Sequence, residues 1–239
     1  MIFGVLNKSV DFILPSRCLG CGQVITCHGT LCPACWSEVQ FIADPSCECC
    51  GWPFEFKTEG QMLCAPCLRE SPVFNRARAA IRYETKGRDL VLRFKHADAT
   101  HAVPMFAEWM CRTGGFLLEN TDLILPVPLH WTRLFLRQYN QAALLAQCIG
   151  FMTGIPFHNT LFKRQLATPS QGHLKRAERK KNVRDAFIVP KRLQHLILNQ
   201  RITLVDDVLT TGATVNECAR VLKNYGTLTV DVLCLARVV

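Results

Sequence analysis

R-I-T-L-V-D-D-V-L-T-T-G-A-T, Arg201 to Thr214, is the stretch whose reading decides the fold. Ile202, Leu204 and Val205 make a short apolar, β-branched-rich run of buried-strand type, and the adjacent carboxylates Asp206 and Asp207 mark its predicted end. After Val208 and Leu209 come Thr210, Thr211, Gly212, Ala213 and Thr214, and then Val215, Ala219, Val221 and Leu222 at helical spacing. Tyr225-Gly226 closes that period, with glycine suited to a helix C-cap. The unit reads strand, loop, helix.

A glycine- and threonine-rich loop at a helix N-terminus offers unpaired N–H groups, hydroxyls and the positive end of the helix dipole, so it suits a phosphate. Two carboxylates beside it repel phosphate but accept hydrogen bonds from vicinal sugar hydroxyls. Together they describe a ribose 5-phosphate site. An ordinary βα turn with an acidic N-cap uses the same residue types, but not this whole string. The string resembles the signature of the type I phosphoribosyltransferases. The resemblance implies that Asp206 and Asp207 hold the 2- and 3-hydroxyls of phosphoribosyl pyrophosphate, and that Thr210, Thr211, Gly212, Ala213 and Thr214 wrap its 5-phosphate.

The chain has 239 residues and 49% hydrophobic content, enough for one α/β domain plus a small module. No run approaches the roughly eighteen apolar residues needed to cross a bilayer, and Met1 to Leu14 carries Lys8 and Asp11 with no small-residue cleavage site. A cytoplasmic protein without membrane insertion is expected. The formal charge is +9, and ten basic residues against two acids lie between Lys163 and Arg192. Such a run meets a polyanion or forms a solvated face; charge alone does not choose.

Of fourteen cysteines, ten fall between Cys18 and Cys67. Without an export signal they read as metal ligands. Four pairs stand out: Cys18-x-x-Cys21, Cys32-x-x-Cys35, Cys47-x-x-Cys50 and Cys64-x-x-Cys67. Two thiolates three residues apart on a tight turn face one zinc, and a second turn completes a tetrahedron. Two structural zinc ribbons in series are expected, although an interleaved pairing uses the same residues. Cys27, Cys49 and His28 are read as spare. Cys111, Cys148, Cys218 and Cys234 read as small buried hydrophobes. The aromatics Trp36, Phe41, Trp52, Phe54 and Phe56 either stack nucleic-acid bases or bury the ribbons against their neighbour, burial being favoured.

Met1 to Pro15 has the spacing of a short amphipathic helix. Ser71-Pro72 is the boundary between residues 1–71, the N-terminal segment with its double ribbon, and residues 72–239. Beyond it the pattern predicts a strand at Ala77 to Tyr83, a short helix at Asp89 to His96 with Arg88 just before it, and helix around Met105 to Arg112 closed by Gly114-Gly115. A second buried strand, Asp122 to Leu125, ends in Pro126-Val127-Pro128.

P-V-P-L-H-W-T-R-L-F-L-R-Q-Y-N-Q-A-A-L-L-A at Pro126 to Ala146, R-Q-L-A-T-P-S-Q-G-H-L-K-R-A-E-R-K-K-N-V at Arg164 to Val183, and the paired-acid string in that order resemble the ComF family of competence-associated phosphoribosyltransferase-like proteins. That family also carries an N-terminal double zinc ribbon, so the likeness spans nearly the whole chain. It implies an α/β, type I phosphoribosyltransferase-like domain with a mostly parallel central sheet. Where the family tends to have Arg-Gly-Phe-Asn-Gln, this chain has Arg137-Gln138-Tyr139-Asn140-Gln141, which removes a glycine from the turn after Arg137.

The resemblance further implies Mg²⁺ bound with the pyrophosphate, and cations for the leaving group from Arg133, Arg137, Arg164, Lys175, Arg176 and Arg179. Arg164 and Gln171 match the family's pattern most directly. Ala167 to Asn182 looks like a loop that closes over such a site. Three readings follow: a phosphoribosyltransferase with an unidentified acceptor; a non-catalytic adaptor in DNA uptake or processing that binds single-stranded DNA or partner proteins; and a zinc-stabilised nucleic-acid-binding module.

Overall fold

The computed structural model describes residues 15–56, 60, 62–96, 99–129, 139–165 and 185–239. The expected N-terminal helix, which ends before Pro15, lies outside the described residues. In chain order, short helices α1 (Pro33–Ser37) and α2 (Ala65–Arg69) belong to the cysteine-rich region. Then come β1 (Ala77–Arg82), α3 (Thr85–His96), α4 (Val103–Leu118), β2 (Leu123–Pro126), α5 (Gln141–Thr153), β3 (Lys163–Arg164), β4 (Phe187–Ile188), β5 (Arg201–Leu209), α6 (Ala213–Asn224) and β6 (Thr229–Arg237).

Strands in the order β1-β6-β5-β2 form one sheet, and every neighbouring pair is parallel. Helices cover both faces of the sheet, which is why Ile202 to Val205 of β5 and Val232 to Ala236 of β6 are buried without a break. Alternation along β5 divides the core. Ile202 and Leu204 pack with Val215, Ala219 and Leu222 of α6, while Val205 packs with Phe106 and Met110 of α4 and Leu145 and Ile149 of α5. The domain is α/β with a parallel sheet, as the sequence predicts.

Three local expectations are corrected. The strand does not stop at the acids: β5 runs on to Leu209, because Asp206 and Val208 stay in register with Cys234 and Ala236 of β6. Helix α4 passes through Gly114-Gly115 instead of closing there. A Cβ on Gly114 would lie 2.6 Å from Leu233 Cδ1, so this glycine admits a core side chain to the helix surface. Helix α3 begins at Thr85, so Arg88 lies within it.

The cysteine-rich region caps the sheet's β1 edge. Ile42 N donates to Ala80 O at 2.9 Å and Arg82 N to Gln40 O at 2.8 Å, so the segment between the two cysteine sets pairs with an otherwise open strand. Trp36 and Phe41 meet Trp109 of α4 with ring centroids 5.7 and 5.0 Å away. Both keep substantial exposure, so they meet the neighbouring helix without being sealed from solvent as the burial reading expects.

Candidate functional site

The eight predicted ligands gather in two sets, Cys18/Cys21/Cys32/Cys35 and Cys47/Cys50/Cys64/Cys67, the sulfurs of each lying within 4.8 Å of one another. Pairing is therefore consecutive, not interleaved. Cys21 and Cys32 sulfurs are 3.7 Å apart and those of Cys50 and Cys64 3.5 Å; a tetrahedron with Zn–S bonds of about 2.3 Å needs about 3.8 Å. Main-chain amides point at the sulfurs, as in Cys32 N to Cys18 Sγ at 3.1 Å and Cys64 N to Cys47 Sγ at 3.3 Å. Burial alone would raise the Cys18 thiol, but the amides of Cys32, Cys21 and Gly20 outweigh it and bring it down to about 6. Cys35 and Cys50 are pushed up to about 12, by burial first and then by neighbouring sulfurs. Four crowded sulfurs that cannot all ionise alone are what a divalent cation resolves, and the sets fit zinc. Cys27 and Cys49 stand outside both sets.

The two sets differ in surroundings. All four sulfur residues of the second are buried, whereas Cys21 of the first is exposed. Gly51, at φ +67°, lets the second knuckle lie against β1: a Cβ there would be 2.5 Å from Ala77 O. Two arginines of the sheet reach into this knuckle. Arg78 donates to Glu48 O at 3.1 Å, and Arg237 donates to Cys50 O at 2.5 Å and approaches Cys50 Sγ at 3.5 Å.

The second feature is a cavity of about 840 Å³ at the C-terminal ends of β2 and β5, where parallel α/β sheets bind ligands. Asp206, Asp207, Thr210, Thr211, Gly212, Thr214 and Arg164 all line it. Ala213 is the first residue of α6. Gly212 is that helix's N-cap, at φ +76°, a conformation that L side chains rarely adopt. Asp206 Oδ1 accepts from Asp207 N at 2.9 Å. Arg164 is buried, its guanidinium 5.5 Å from the Phe187 ring centroid. It sits in the antiparallel β3–β4 pair, and Gln165 N donates to Ala186 O at 2.8 Å just beyond. Arg133, Arg137, Gln171, Lys175, Arg176, Arg179 and the proposed closing loop lie outside the described residues.

Several lining residues escaped the sequence reading. Arg88 and Lys95, seven apart on α3 and so on one helix face, both reach the cavity. Lys95 Nζ lies 3.1 Å from Asp207 Oδ2. Asn140 and Gln141 act as a brace: Asn140 Nδ2 donates to Val127 O at 3.2 Å, and Gln141 Nε2 donates to Lys95 O at 3.3 Å. The Asn-Gln pair thereby ties the end of α3 to the Pro-Val-Pro turn. Burial pushes the Cys218 and Cys234 thiols well up, with the negative charge of Asp206 adding to it. Trp52 of the second knuckle also lines the cavity.

Two four-cysteine sets that fit zinc, set against the edge of a parallel α/β sheet, define a double-zinc-ribbon α/β protein. Residues 9–72 match the double zinc ribbon domain family. Competence protein F of Haemophilus influenzae is 30% identical over 92% of this chain and 96% of its own length. The DNA utilization protein YhgH of Salmonella typhimurium is 30% identical over 94% and 98%, and competence protein ComFC of Bacillus subtilis 27% identical over 82% and 79%. Adenine phosphoribosyltransferase from Thermoanaerobacter pseudethanolicus, a solved structure, is 19% identical over 62% of this chain and 84% of its own, with a TM-score of 0.37. The chain belongs to the ComF family of competence and DNA utilization proteins. Among the described residues no helix is long and apolar enough to cross a membrane.

Proposed function

We propose that the cavity binds phosphoribosyl pyrophosphate and that the chain is a phosphoribosyltransferase serving the use of DNA. One observation carries this: the paired acids, the phosphate-type loop and three cations, Arg88, Lys95 and Arg164, line a single cavity. Asp206 and Asp207 accept hydrogen bonds from the sugar hydroxyls, and the α6 N-terminus with Thr210, Thr211 and Thr214 receives the 5-phosphate. The cations face the pyrophosphate, whose charge grows as its bond to C1 lengthens. Mg²⁺ bound with the pyrophosphate supplies further neutralisation.

Calorimetry with phosphoribosyl pyrophosphate and Mg²⁺ tests the reading. Each charge-assisted hydrogen bond is worth about 1.5–3 kcal/mol, so Asp206→Asn with Asp207→Asn should weaken binding by about a hundredfold or more. No binding by the wild type, or equal binding by the variant, removes the assignment. The relatives' names speak of DNA use, which favours the adaptor as the second reading. Binding without pyrophosphate release, with any base or amine supplied, selects it.

A further inference from the structure

We propose that the second zinc ribbon completes this cavity with a ring-binding surface: Trp52 stacks a planar heteroaromatic ring, either a free base or a base of a single strand. The proposal rests on the phosphoribosyl reading for what lies beside the ring, and it concerns ring binding alone.

Position comes first. Leu209 and Arg237 are partners across β5 and β6, so the end of β6 lies beside the start of the phosphate-type loop. Trp52 stands over that end, its ring centroid 5.2 Å from the Arg237 guanidinium carbon. It lines the cavity that holds Asp206 and Thr210.

Rigidity comes second. Cys47 N donates to Trp52 O at 2.8 Å, which fixes the residue within the metal-binding knuckle. Arg237, under the ring, is itself buried and anchored on Cys50 O and Sγ. A ring held on one face by an anchored cation loses little freedom when a second ring stacks on it, which makes it a preorganised platform. The indole is half-buried, not sealed in the core. Among the described lining residues Tyr83 is the other aromatic, and Lys95 already lies 6.0 Å from its centroid. Each ring thus has a cation near one face, and Trp52 is the one of the two that the metal-binding knuckle and a buried arginine hold in place.

The test uses full-length, zinc-loaded protein saturated with phosphoribosyl pyrophosphate and Mg²⁺, titrated with adenine, guanine and cytosine separately and with a short oligodeoxyadenylate. Wild type and Trp52→Phe are expected to bind a free base, the oligonucleotide or both. Trp52→Ala is expected to bind the same probe about tenfold or more weakly, with phosphoribosyl pyrophosphate affinity kept within about twofold. Binding of free bases alone gives the platform a small-molecule ligand, and binding of the oligonucleotide alone gives it a single strand. Wild-type affinity in Trp52→Ala, or equal losses for ring and phosphoribosyl pyrophosphate, overturns the proposal. A wild type that binds phosphoribosyl pyrophosphate but none of these rings overturns it and leaves the phosphoribosyl reading standing. A wild type that binds a ring but no phosphoribosyl pyrophosphate removes that reading, and the Trp52 variants then decide the platform alone. If Trp52→Ala fails to fold, Trp52→Leu against Trp52→Phe carries the comparison, since leucine keeps apolar bulk without a π face. Equal ring affinity in those two overturns the platform.

Discussion

The ammonium of Lys95 on α3 lies 3.1 Å from the carboxylate of Asp207 on β5, with both side chains largely buried. Removing the cation takes a positive charge from a cavity proposed to hold a polyanion and leaves Asp207 uncompensated there. Both changes oppose pyrophosphate. Freeing Asp207 for sugar hydroxyls opposes them with one hydrogen bond. The charge terms win at the dielectric of a partly buried site, and Lys95→Met is expected to weaken phosphoribosyl pyrophosphate binding about tenfold by calorimetry. Tighter binding would instead make Lys95 a lock on Asp207.

Gly114 and Gly115 are neighbours in α4 with opposite expectations. A Cβ at Gly114 meets Leu233 Cδ1 at 2.6 Å and Cδ2 at 2.9 Å, whereas at Gly115 nothing lies within 4 Å. Leu233 is fully buried and has nowhere to move. Gly114→Ala should cost about 1–3 kcal/mol, and Gly115→Ala should stabilise by about 0.5–1 kcal/mol. Urea unfolding of the two variants reads the difference, and like signs would refute the packing account.

Those glycines also mark where the sequence was and was not legible. Adjacent glycines look like a helix stop because propensity is local, while the reason for Gly114, a leucine on β6, is far along the chain. The β5–loop–α6 unit was readable because its signals sit within a few residues of one another. So were the zinc ligands, whose spacing is their chemistry. The continuation of β5 through Asp206 and Asp207 was not, since it depends on pairing with β6. Lys95 and Arg237 were missed as site residues for the same reason: each meets its partner only through sheet order. Trp52 was named among the aromatics that either stack bases or bury the ribbons, but its place beside this cavity was not legible.

Asp122 and Arg201 join the starts of β2 and β5. Arg201 Nε donates to Asp122 Oδ2 at 3.0 Å and its terminal nitrogen to Oδ1 at 2.7 Å, with a main-chain bond from Arg201 N at 2.9 Å. The guanidinium, and then the amide, hold the carboxyl down to about 2. That lies below the unfolded value of about 3.9, so the stabilisation is fully present above pH 4 or so and is lost as pH falls toward about 2. Asp122→Asn should lower stability by about 1 kcal/mol near neutrality. The gap to wild type, each at equal zinc content, should narrow below about pH 4; a gap that widened in acid would reverse the sign.

The two zinc sites should part company under a chelator. In the first, Cys21 is exposed, giving a competing ligand direct access. In the second, all four cysteines are buried, and Arg78 and Arg237 bring two positive charges to a knuckle that four thiolates make negative. Zinc release followed with a chromogenic chelator should show two phases, the faster from the first set, and Cys21→Ser should remove that phase alone. Partners one step outside the ligands are worth about 10–100-fold in metal affinity. Arg237→Met should therefore speed the slow phase about tenfold while leaving the fast phase alone. An unchanged slow phase would reduce Arg237 to a support for Trp52, and a single phase for both sites would mean that burial and charge do not set how tightly this chain holds its metal.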